Sequence, residues 1–266
     1  MRSALDKLQA ILRRDLLTAI RHRTGFVTTM VGLFTELAAF YFLSRAIGPG
    51  FRPGGIEYFP FLLVGTGVYT FLVMSTQAFL STVQDAQQTG TMEVLMTTST
   101  PPAELVVLSS VSAFARSFFN LGVYFLAGAA FFGAATHANI FSCLVVMVLL
   151  FAIAMALGIA AATVQVAFQK GSAVMWLLSS GAWLLSGAMF PVDSLPRPLV
   201  LLAHALPLTY AVNGMRMALL QGQSILTMGS TLGALLGFSL ALLPLTLWAL
   251  SVSLRRARQN GTLSFY

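Results

Sequence analysis

Residues 140–168 read IFSCLVVMVLLFAIAMALGIAAATVQVAF, without a single Asp, Glu, Lys or Arg. A bilayer's hydrocarbon core is about 30 Å thick and needs roughly 20 mostly apolar residues to cross it as a helix. This run exceeds that requirement. A chain built around it is an all-α integral membrane protein.

The rest of the sequence follows the same pattern on either side. Apolar runs occupy Phe26 to Ile47, ended by Gly48-Pro49-Gly50, then Tyr58 to Val83 and Ala115 to Ala135. Further runs cover Ser172 to Phe190 and Met228 to Leu254. Only Gln169-Lys170-Gly171 separates the run at 140–168 from its successor. The reading is one transmembrane domain over 1–266 with six transmembrane helices. Composition agrees: 57% of the residues are hydrophobic and 9% charged, against roughly 25% charged in soluble domains.

Six crossings put both termini on one side, and the basic residues say which. Of 15 Lys and Arg, eleven fall at the N-terminus (Arg2, Lys7, Arg13, Arg14, Arg21, Arg23), at Arg116 and Lys170, and at Arg255, Arg256 and Arg258. The other four are Arg45, Arg52, Arg197 and Arg216. The positive-inside bias makes the first group cytoplasmic. A multi-pass protein of the cytoplasmic (inner) membrane, with both termini in the cytoplasm, is expected. The net charge of +7 is thus accounted for by membrane orientation, and nucleic acid is not an expected partner.

Residues 1–25 read as an amphipathic helix at the membrane interface. Ser3-Ala4-Leu5-Asp6 fits a capping box, and Leu5, Leu8, Leu12, Leu16 and Ala19 form one stripe beside Arg and Lys. Such a helix lies among lipid headgroups, where it can also meet a cytoplasmic partner. The charged start is not the pattern of a secretory signal. The single cysteine, Cys143, excludes an intramolecular disulfide. His22, His137 and His204 lack ligand spacing, so no metal site is expected.

Residues 84–112 form a cytoplasmic loop with no Lys or Arg, although it carries Asp85, Glu93 and Glu104 on the positive side. A loop that departs from the charge rule points to a protein partner. At its centre, Thr89-Gly90-Thr91-Met92-Glu93-Val94-Leu95-Met96-Thr97-Thr98-Ser99-Thr100-Pro101-Pro102 breaks one helix, starts another and stops it at the prolines. Further along, Ser186-Gly187-Ala188-Met189-Phe190-Pro191-Val192-Asp193-Ser194-Leu195-Pro196 leads to Leu206-Pro207-Leu208-Thr209-Tyr210-Ala211 and Arg216. Pro191, Pro196, Pro198 and Pro207 forbid one continuous helix. Bent backbone at membrane depth is tolerated only where protein or water satisfies it.

In these two segments the chain resembles the ABC-2 family of ATP-binding-cassette exporter permeases. Gly90, Thr91, Met92, Glu93, Leu95, Met96 and Thr98 fall on the family's coupling-helix pattern, E-x-G-T-L-E-x-L-L-x-T-P. Gln88 replaces its first acid and Ser99 its proline. The second segment is similar to S-G-x-x-F-P-x-x-x-L-P … L-P-L-T-x-A … R, which in that family is an extracellular re-entrant helical hairpin, here 191–225. The resemblance implies a permease subunit that exports an amphiphilic or lipid-linked substrate. It also implies a second permease subunit, identical or not, and a separate nucleotide-binding ATPase subunit. Gly90, Thr91, Glu93, Leu95 and Met96 would contact that ATPase, which would hold the ATP and Mg.

The chain has no G-x-x-x-x-G-K-[ST] phosphate loop, and its only lysines are Lys7 and Lys170. No catalytic residues and no cofactor of its own are expected. Glu36 lies mid-way along the first run; an acid there costs roughly 2.5–3.5 kcal/mol on insertion scales and should face protein or water. It is a candidate substrate-path residue, or a buried structural hydrogen bond. Arg116 reads as snorkelling to the interface. Gly229, Gly233 and Gly237 suggest close helix packing. The alternative function is an ion-coupled secondary transporter or channel, disfavoured by the scarcity of buried charges and the lack of a repeat.

Overall fold

A computed structural model describes residues 23–88, 102–134, 137–168 and 170–260, and these are helical without a strand. In the described residues eight α-helices follow one another: α1 Arg23–Ile47, α2 Tyr58–Gln88, α3 Pro102–Phe132, α4 Ile140–Phe168, α5 Gly171–Leu185, α6 Arg197–His204, α7 Pro207–Leu219 and α8 Gly229–Asn260. The amphipathic segment before Arg23 and the loop centre at 89–101 lie outside the described residues.

Among the described residues, five helices are long and apolar enough to cross a membrane, through Val27–Ile47, Tyr58–Asp85, Phe114–Phe132, Ile140–Phe168 and Gly229–Arg256. The apolar run ending at Phe190 behaves differently from a simple sixth span. Its helix α5 stops at Leu185 after 15 residues, about 22 Å at 1.5 Å per residue. Gly187 then takes a positive φ of 76°, a conformation that costs glycine little, and Pro191 prevents the helix from resuming. Beyond it, α6 and α7 meet at a bend of 80°. Prolines set that geometry: Pro198 lies in the first turn of α6, and Pro207 opens α7. Counting the bent pair as one span brings the total to six.

The bundle is organised around α2. Of its apolar window 78% is buried, against 11% for α1, so α2 is the core helix and α1 an outer one. The main cluster joins α2, α3, α4, α7 and α8 through Phe79, Phe114, Leu150, Ile153, Leu208, Met215 and Leu235. Helix α1 packs chiefly on α2 and α3. The outer faces remain apolar, with Phe42, Phe119, Phe141, Trp176 and Trp248 all exposed. In water this would be unfavourable; in lipid it is the required surface. The glycine face of α8 did not turn inward: a side chain at Gly229, Gly233 or Gly237 would meet nothing within 4 Å. The close packing expected there does not occur among the described residues.

Candidate functional site

Three constructions break the apolar pattern. The first surrounds Glu36. A cleft of about 360 Å³ opens between α1, α2 and α3, with Glu36 and Thr29 on one wall and Thr70, Met74, Asn120 and Tyr124 opposite. Tyr124 is buried, and its hydroxyl lies 2.9 Å from Thr66 Oγ1. Thr66 already donates to the Leu62 carbonyl at 2.7 Å. Its single proton is therefore spent, and Tyr124 is the donor of the pair.

The second joins three helix ends. Gln165 near the end of α4 accepts from the Gly171 backbone N–H at 2.9 Å and from Gln84 Nε2 at 3.3 Å. It donates from its own Nε2 to Gln87 Oε1 at 3.0 Å. Gln84 also donates to Ser172 Oγ at 2.8 Å. Gln87 and Gln165 are buried. A buried amide is tolerated when its hydrogen bonds are made, and this network makes them while tying α2 to both α4 and α5. None of these three glutamines belongs to a sequence motif. The signal available was Gln165 itself, an amide inside an otherwise apolar run.

The third is Arg216 on α7. The charge tally placed it among outer-side residues, but it is buried, with 5% of its surface exposed. Its Nη2 donates to the carbonyls of Phe61 and Ala188, each at 3.0 Å. The guanidinium carbon stands 3.4 Å above the Phe61 ring centre, where the ring's negative face offsets part of the lost hydration. Gly65 permits the approach: a Cβ there would collide with the Ala188 carbonyl oxygen and lie 2.6 Å from Arg216 Nη2. Arg216 thus pins α7 and the bend after α5 onto α2.

A wider cavity of about 660 Å³ lies where α1 ends and α2 begins, lined by Tyr41, Arg45, Phe51, Arg52, Glu57 and Phe132 among others. Arg45 donates to Tyr41 Oη from Nε and Nη2, at 3.2 and 2.9 Å. Arg52 and Glu57 face each other at 3.9 Å, both well exposed. At that separation and exposure the pair contributes little.

Of the residues picked out in sequence, Glu36 lines the cleft. Gly90, Thr91, Glu93, Leu95 and Met96 lie outside the described residues. Arg116 is exposed on α3. Among the described residues, no group of three or more His, Cys, Asp or Glu could hold a metal.

A helical bundle with several membrane-length helices, and with polar side chains gathered at a cleft and at helix ends, defines a polytopic membrane protein. Residues 6–220 match the ABC-2 type transporter family. The chain belongs to that family: it is a membrane transport subunit, not itself catalytic. A search of curated proteins found no match.

Proposed function

We propose that this chain is the permease subunit of an ATP-binding-cassette exporter, moving an amphiphilic or lipid-linked substrate out of the cell. The observation that carries the reading is the family match, which runs through the loop after α2 and on into α7. ATP and Mg are assigned to a separate nucleotide-binding subunit, and a second permease subunit completes the path. The protein sits in the cytoplasmic membrane with both termini inside. The 80° bend between α6 and α7 suits a re-entrant hairpin on the outer side. Glu36 is the residue proposed to meet substrate.

The coupling segment is residues 84–112, with Gly90, Thr91, Glu93, Leu95 and Met96 at its centre. It takes in the end of α2 and the start of α3, so movement of the ATPase would reach those two helices first. From there the contacts of Gln84 and Gln87 with Gln165 and Ser172 would carry it to α4 and α5. The test is ATPase stimulation and transport by reconstituted complexes carrying Glu93→Arg or Leu95→Asp. Both variants are expected to fold, reach the membrane and lose stimulation and transport. Full activity in both would remove this loop from the mechanism.

A further inference from the structure

Glu36 is the only acid in α1, and nothing in the described protein neutralises it. Its carboxylate has no hydrogen-bond or ion-pair partner among the described residues. The basic residues of α1 cannot reach it: Arg45 is engaged by Tyr41, and Arg23 lies about 20 Å away along the helix axis. Helix α2 has no basic residue, and Arg116 of α3 is exposed and does not line the cleft.

The opening beside Glu36 follows from how α1 is held. The half of α1 beyond Glu36 is bound by ring contacts, with Tyr41 5.6 Å from Phe59 and 5.4 Å from Phe132. Leu33 and Leu37 bury into the cluster of Phe59, Leu63 and Tyr124. On the N-terminal side Phe34 alone is seen to make such a contact, 5.3 Å from Phe131, and the cleft lies between Thr29 and Gly32 of α1 and the facing sides of α2 and α3. Its walls at Leu33, Phe71, Met74 and Leu121 are apolar, and Thr70 and Asn120 line it opposite Glu36. The volume of about 360 Å³ falls within the range of small-molecule pockets, roughly 300–1,000 Å³.

A carboxylate at membrane depth is costly unless it is paired or holds a proton, and a cation entering the cleft would supply the partner that the described residues do not. A phosphate or sulfate headgroup would meet like charge. A hydrophobic body bearing one positive charge meets apolar walls, a counter-ion and two hydrogen-bonding side chains. We propose that the Glu36 cleft is a binding site for hydrophobic monocations, the class that includes amine-bearing amphiphiles. This names the substrate class of the exporter proposed above and rests on that reading for transport, though not for binding.

The experiment uses the full chain in nanodiscs of zwitterionic phosphatidylcholine, with empty discs subtracted. The probes are tetraphenylphosphonium and its anionic counterpart of the same shape, tetraphenylborate. Saturable binding of the cation is expected, weakened about tenfold or more by Glu36→Gln and not competed by the anion. Met74→Trp, which narrows the cleft and keeps the acid, is expected to weaken it as well. Equal cation binding by wild type and both variants would overturn the site, as would equal binding of the anion. A change of oligomeric mass in Glu36→Gln without a change in cation binding would overturn it too, by giving the acid to a second copy. Glu36-dependent binding without transport in the ATPase-reconstituted complex would sustain the site and sink the exporter reading. Transport of other substrates without cation binding would do the reverse.

Discussion

Gln165 on α4 and Gln87 on α2 are joined through their side-chain amides at 3.0 Å, both in the protein interior. The direction of the bond is fixed by a neighbour. The Gly171 N–H can only donate, so the Gln165 atom it meets at 2.9 Å is the oxygen. The nitrogen therefore faces Gln87, whose oxygen accepts. One side chain thereby sets the spacing of three helix ends, the last turns of α2 and α4 and the start of α5.

Replacing Gln165 by Leu would strand the Gly171 N–H and the Gln87 carbonyl oxygen together. Each buried group left unsatisfied costs about 1–3 kcal/mol. The expected outcome is a clear fall in the thermal unfolding temperature of purified protein in detergent. The double variant Gln87→Leu/Gln165→Leu should recover part of that loss, because both partners of the amide pair are then apolar. A double variant as unstable as the sum of the singles would show that the two amides do not interact.

Tyr124→Phe is the milder counterpart at the cleft. The ring stays buried, and Thr66 keeps its bond to Leu62, so only the donor of the 2.9 Å contact is lost. A net cost of about 0.5–1.5 kcal/mol is expected, with the fold and membrane insertion intact. Thermal unfolding measured beside Gln165→Leu checks the ranking, and Tyr124→Phe should be the more stable of the two.

The membrane-spanning character was legible because its cause is local: unbroken apolar runs of helix length leave few other solutions. The same locality explains what the sequence did not disclose. Gln84, Gln87 and Gln165 meet across 78 and 81 positions of chain, and no spacing rule connects them. Arg216 looked like an ordinary outer-side charge because its partners are two backbone carbonyls and a ring, which carry no sequence signature. The run to Phe190 was read as one span, although Gly187 and Pro191 within and after it mark where α5 must end. Glu36 was legible as an anomaly, yet the cleft beside it depends on where the aromatic contacts of α1 fall.

Orientation has its own test. The proposed orientation has Ser99 and Ser264 on the cytoplasmic side and residues 48–57 on the outer side. In a Cys143→Ser background, single cysteines at Ser99 and Ser264 are expected to resist an impermeant maleimide applied to intact cells. A cysteine at Gly50 is expected to react. Labelling at Ser99 or Ser264 in intact cells would invert the assignment.

Arg216 provides the sharpest mutational contrast. A lysine keeps the charge but not the planar fork, and a compact, strongly hydrated ammonium is poorly suited to sit over the Phe61 ring while meeting two carbonyls. Arg216→Lys is therefore expected to destabilise even though charge is conserved, since hydrogen bonds to charged groups are worth about 1.5–3 kcal/mol each. Gly65→Ala attacks the same joint from the other side without touching a charge. Its added methyl would collide with the Ala188 carbonyl oxygen, which is backbone and cannot swing aside, and would crowd Arg216 Nη2 at 2.6 Å. Both variants should lower the unfolding temperature in detergent. Limited proteolysis should expose the segment between α5 and α7 first, because that is what the guanidinium holds to α2. If Arg216→Lys unfolds with wild-type stability and the segment stays protected, the charge alone suffices and the paired carbonyl bonds do not hold the bend.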